Sequence, residues 1–224
     1  MSVNFALIGG ATMGMAAGAL LIPATRRELA AATARADDVA WVPKPVLLTW
    51  QRLTLIVASG LVPGVVLHKV GWSIVAIPTL LMFLGLVQLA YCDAKRQLLP
   101  KTMVHATTLC VTLSAVVVAA VTNEWHRLFI AVLCSAGLSA LLFAINLMNP
   151  AWMAFGDVRL APVVGLGLAW ISPLALLQGF ILANLLAAAV GVTLIVSRKA
   201  SRKAALPFGF YLAIAAGAII LLWT

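Results

Sequence analysis

Apolar residues in this chain fall into runs long enough to cross a bilayer, which leaves it very few possible folds. Eight such runs lie at about 3–24, 53–68, 72–91, 103–122, 128–149, 160–172, 174–196 and 207–223, the second and sixth being short. A spanning helix needs roughly 20 apolar residues. In hydrocarbon every backbone N–H and C=O must find its partner inside the protein, so only helices and closed barrels span. Continuous apolar runs of this length, without period-two alternation, read as helices. The expectation is an all-α, polytopic membrane helical bundle with about eight transmembrane helices. Composition agrees: 64% of the 224 residues are hydrophobic and 9% are charged, with a mean hydropathy of +1.11, outside the range of water-soluble domains.

The net charge of +9 would suggest nucleic acid in a soluble protein. Here the basic residues lie in short connections between apolar runs, where they set topology, and no nucleic-acid partner is expected. The first connection holds Arg26, Arg27, Arg35, Lys44 and Arg52, the third Lys95, Arg96 and Lys101, the fifth Arg159, and the seventh Arg198, Lys199, Arg202 and Lys203. Only Lys69 and Arg127 fall in even connections. Excess Lys and Arg mark the cytoplasmic side, so the odd loops are expected inside and both termini outside.

The first run lacks the positive n-region of a secretory signal, since no Lys or Arg precedes Arg26, and it is expected to remain as a helix despite the cleavage-like Ala34, Arg35 and Ala36. Its Gly10, Gly14 and Gly18, like Gly60 and Gly64 in the second run, recur every four residues and suit close helix packing. Cys92, Cys110 and Cys134 have no CxxC spacing, so neither a zinc site nor a disulfide framework is expected. His68 and His126 map to the outer side. His105, one turn past Pro100, reads as a hydrogen-bonded packing residue.

Of six acidic residues, Glu28, Asp37, Asp38 and Glu124 fall in polar connections, whereas Asp93 and Asp157 sit at the edges of apolar runs. An ionisable side chain at membrane depth is costly and marks a functional site by default. The topology places both at the cytoplasmic face, as a pair would require. Pro100 follows Asp93 closely and suits the start of the next helix. Gly156, directly before Asp157, permits close backbone approach.

These segments resemble the type IV prepilin peptidases, the bacterial branch of the GxGD intramembrane aspartyl proteases. The first acid pattern is matched by Asp93, Leu99 and Pro100, the second by Gly156, Asp157, Val158, Arg159 and Leu160, and a C-terminal Pro-Phe-Gly stretch by Pro207, Phe208 and Gly209. Ala154 replaces the first glycine of GxGD, Phe210 replaces a proline, and Lys101 stands where Asn or Asp is common. The resemblance runs from about residue 72 to the end. It implies an N-terminal two-helix region at 1–71, whose basic cytoplasmic loop lacks the paired cysteines of many members, and an aspartyl peptidase membrane domain at 72–224.

By this resemblance Asp93 and Asp157 are catalytic, with Pro100, Gly156, Arg159, Pro207, Phe208 and Gly209 supporting the motifs or binding substrate. The implied activity is removal of the leader peptide from prepilin-like substrates with a hydrophobic helix, at the cytoplasmic face of the bacterial inner membrane; a carboxylate pair calls for no metal or cofactor, and with the paired cysteines missing no methyl transfer is expected. Two other readings of the residues stay open: a proton-coupled carrier using the aspartates as a relay, and a non-catalytic pilus or secretion assembly subunit. A carrier calls for acids near the bilayer midplane and repeated halves; an assembly subunit calls for replaceable aspartates.

Overall fold

A computed structural model describes residues 60–68, 73–96, 99–149, 155–197 and 208–223. Their regular elements are all helical. A helical segment at 60–68, α1, is followed by a single 3-10 turn at Ile74–Ala76 and then by α2 (Ile77–Arg96), α3 (Lys101–Thr122), α4 (Trp125–Met148), α5 (Phe155–Ala169), α6 (Pro173–Val196) and α7 (Phe208–Trp223).

Four stretches are long and apolar enough to cross a membrane: Ile74–Asp93, Lys101–Thr122, Trp125–Met148 and Pro173–Val196. The expected count of about eight is thus not reached among the described residues. The first apolar run, 3–24, lies outside them, as do the connection after it, the start of the second run at 53–59, Gly10, Gly14, Gly18 and most of the expected 1–71 region. The other shortfall is physical. At about 1.5 Å per residue, the 15 residues of α5 and 16 of α7 reach only some 23 Å, less than a hydrocarbon core of about 30 Å.

These two short helices are the most enclosed. From Val163 to Ala169 every residue of α5 is buried, and α7 buries ten, from Gly209 to Ile220. The longer α3, α4 and α6 close around them and turn apolar faces outward: Leu109, Leu113, Val117 and Val121 form an exposed ladder on α3, while Phe129, Leu133 and Leu147 on α4 and Leu177, Ile181 and Leu185 on α6 do the same. Such surfaces suit lipid, not water. The protein is a helical membrane protein.

Short turns set the alternation of the helices. Asn123 ends α3 in the left-handed region at φ 58°, a conformation Asn tolerates because its side chain is short and polar, and α4 begins two residues later. Between α5 and α6 the Ser172 hydroxyl accepts from the Leu174 amide at 3.2 Å, with Pro173 opening the helix, where its missing N–H costs nothing. Trp125, Trp170 and Trp223 collect at the end of the bundle opposite the aspartates. There the Trp170 indole donates to the Val75 carbonyl at 2.8 Å and the Trp223 indole to Gln178 at 2.8 Å, in keeping with the aromatic belt of a membrane interface.

Helix α5 is held by close crossings. A methyl group at Gly165 would lie 2.7 Å from the Ser135 Cα of α4, and the Ser135 hydroxyl donates to the Pro162 carbonyl at 3.0 Å. On the opposite side Thr79 of α2 donates to the Gly167 carbonyl at 3.1 Å. Gly60 and Gly64, expected at a packing face, are both buried.

Candidate active site

Both aspartates are helical, not part of loops flanking the helices. Asp93 stands in the last turn of α2, which runs on to Arg96, and Asp157 in the first turn of α5, which begins at Phe155. The apolar runs break at these acids because the side chains turn polar, while the backbone remains helical for another turn. Pro100 is buried and caps α3, its carbonyl accepting from the Val104 amide at 3.2 Å. It thereby keeps α3 close behind α2, as its position in the sequence suggests.

Three helix ends meet here. The Gly209 amide, at the start of α7, donates to Asp93 Oδ2 at 2.8 Å. A methyl group at Gly209 would stand 2.9 Å from the same oxygen and 3.4 Å from Leu160 Cδ1 of α5, so only glycine permits this approach without displacement. Gly156 faces Leu99 across the α2 to α3 connection, where a methyl group would come 2.9 Å from Leu99 Cδ1. Asp93, Asp157, Gly156 and Gly209 thus share one end of the bundle. Phe208 is partly buried beside them. Pro207 and Ala154 lie outside the described residues.

The electrostatics follow from burial. Asp93 is 7% exposed and sits at the negative end of the α2 dipole; the Gly209 hydrogen bond comes from the positive end of α7, where an anion is favoured. Asp157 lies outside the four spanning stretches. Burial chiefly, and then the negative charge of Asp93, push its carboxyl up from 3.8 to about 7. A carboxyl held there keeps a proton near neutral pH while remaining able to release it.

Arg159 does not neutralise the pair by a salt bridge. Its guanidinium lies over the Phe155 ring, 4.6 Å from the centroid, and among the described residues the salt bridge found is Arg127 with Glu124, near the other end of the bundle. His105 is exposed on α3, so the expected packing role is not seen; its position on the helix turns it outward, whereas Val104 beside it is buried. Cys92 is buried, Cys134 half-buried and Cys110 exposed, and no disulfide joins them. Leu99 and Leu160, which the motifs include without a role of their own, are the apolar walls against Gly156 and Gly209. Their signal is spacing: Leu160 comes one helical turn after Asp157, on nearly the same face.

No family model matches the chain, and no solved structure matches it. Among curated proteins, the prepilin leader peptidase/N-methyltransferase of Pseudomonas aeruginosa is 33% identical over 168 residues, which cover 74% of this chain and 56% of that protein. The chain therefore spans little more than half the length of the curated relative it matches.

Proposed function

We propose that this chain, which belongs to the prepilin peptidase family, is an aspartyl endopeptidase of the bacterial inner membrane that removes the leader of prepilin-like substrates at the cytoplasmic face. The observation that carries the reading is the meeting of Asp93, Asp157 and Gly209 at one end of the bundle, with Asp157 feeling the charge of Asp93. Two close carboxylates resist ionising together and share a proton. One then takes a proton from water while the other donates to the carbonyl oxygen of the scissile peptide. Such a pair activates water without a metal.

The position of the pair favours this reading over a carrier. Both acids stand in terminal turns of their helices, whereas a relay or carrier site draws on acids near the midplane. A substrate with a polar leader and an apolar helix would keep its helix in the bilayer beside the bundle and present its junction at this end. The relative's name couples peptidase with methyl transfer; for this chain we propose the peptidase alone, given the absence of paired cysteines from the first connection.

Purified protein incubated with a prepilin-like substrate in excess chelator, with and without a methyl donor, tests both statements by product mass. Cleavage at the leader junction with no added methyl group is expected. Loss of cleavage that metal restores would defeat the unaided carboxylate pair, and a donor-dependent gain of one methyl group would defeat the restriction to peptidase.

A further inference from the structure

Two aspartates that share a proton are interchangeable only if their surroundings are alike, and here they differ. Asp93 accepts a 2.8 Å hydrogen bond from the Gly209 amide. The donor is the second residue of α7, so its N–H is one of those no helical carbonyl satisfies, and it lies at the positive end of a 16-residue helix. The contact is enforced sterically: Gly209 is buried, and a Cβ there would press on both Asp93 Oδ2 and Leu160. An amide N–H can only donate, so it favours whichever carboxyl carries the negative charge.

We propose, on the premise of the peptidase reading above, that the Gly209 amide is a positioning group that selects Asp93 as the ionised member of the pair and leaves the shared proton on Asp157. Asp93 is then the general base. It takes a proton from water as the water oxygen bonds to the carbonyl carbon, and Asp157 gives its proton to the carbonyl oxygen. When the tetrahedral diol collapses, the C–N bond breaks, the departing nitrogen takes the proton from Asp93, and a diol hydroxyl returns a proton to Asp157. Both carboxyls end as they began.

The charged and titratable groups around Asp93 leave room for this selection. From α5 it faces Asp157, and from α7 the Gly209 amide with the buried Tyr211 two residues on; Lys101 and His105 of α3 are exposed.

The direct test replaces the Gly209 amide by an ester, using glycolic acid at that position in cell-free synthesis of the full chain into lipid nanodiscs. This removes the N–H and adds no bulk. Hydrogen bonds to charged groups contribute about 1.5–3 kcal/mol, so the acid limb of the cleavage profile should move up by roughly one to two pH units. A role in folding alone would lower the rate at every pH and leave the limb in place. Aspartate 13C resonances give the same reading without catalysis, since the chain has only Asp37, Asp38, Asp93 and Asp157. The Asp93 signal should shift its midpoint upward in the ester protein. An unmoved Asp93 midpoint overturns the inference whatever the activity. If instead Asp93→Asn and Asp157→Asn both cleave normally, the reading of the aspartates as the catalytic pair falls, and the assignment of a base falls with it.

Discussion

Asp157 carries a consequence that stability measurements can read. Its carboxyl is raised from 3.8 to about 7, so between these values the folded protein holds a proton that the unfolded chain has released. Stability from this group is full below about pH 4, falls as pH rises through the window, and changes no further above about pH 7. Asp157→Asn cannot ionise. Compared with the unmodified protein in the same detergent, it should gain relative Tm between about pH 4 and 7; parallel Tm profiles would show that Asp157 is not held protonated. At this scale much of the candidate site was legible, because Asp93 and Asp157 are ionisable residues in apolar surroundings and few other acids compete. The Gly209 hydrogen bond was not, since it joins residues 116 apart and a glycine after a phenylalanine does not name its partner. Nor did the charge of Arg159 reveal that its guanidinium would settle on Phe155.

Helix boundaries show where hydropathy and backbone part company. The run expected at 160–172 is the helix Phe155–Ala169, displaced toward the N-terminus because Asp157 and Arg159 lower hydropathy without ending the helix. The runs at 103–122, 128–149, 174–196 and 207–223 lie within three residues of α3, α4, α6 and α7, since caps such as Pro100, Asn123 and Ser172 coincide with polar breaks. What period and hydropathy do not carry is which short helix becomes central. That depends on crossings such as Gly165 against Ser135, where backbone meets backbone. Gly165→Ala would need α4 and α5 to separate and should cost about 1–3 kcal/mol. Gly137→Ala, on the open face of α4 with nothing within 4 Å of the added methyl group, should be neutral or stabilise by up to about 1 kcal/mol, as alanine favours helix. Unfolding of both variants in one micelle checks the contrast; equal effects would contradict the packing described for α5.

For the whole molecule, the strongest expectation from the sequence concerns orientation. The odd connections hold all Lys and Arg except Lys69 and Arg127, and the aspartates share the end of the bundle from which the third, fifth and seventh connections emerge. Reporters fused after residues 40, 97 and 200 should therefore read cytoplasmic, and those after 70 and 125 external. An inverted pattern would put the aspartates on the outer face and contradict the cytoplasmic cleavage proposed above. The architecture could be anticipated as helical because hydrocarbon allows so little else. That two helices shorter than the bilayer occupy its centre could not, since enclosure depends on the neighbours of a helix as well as on its own residues.

The central claim is that Asp93 and Asp157 act together as the catalytic pair. It is tested most directly by cleavage kinetics of purified Asp93→Asn and Asp157→Asn proteins on a prepilin-like substrate, each confirmed as folded and inserted. Removing a general acid or base typically costs about 10²–10⁴-fold, so each single variant should lose at least about a hundredfold in rate, and the double variant little more than either, because the two carboxyls work as one unit. Cleavage at the unmodified rate by either single variant would contradict the account.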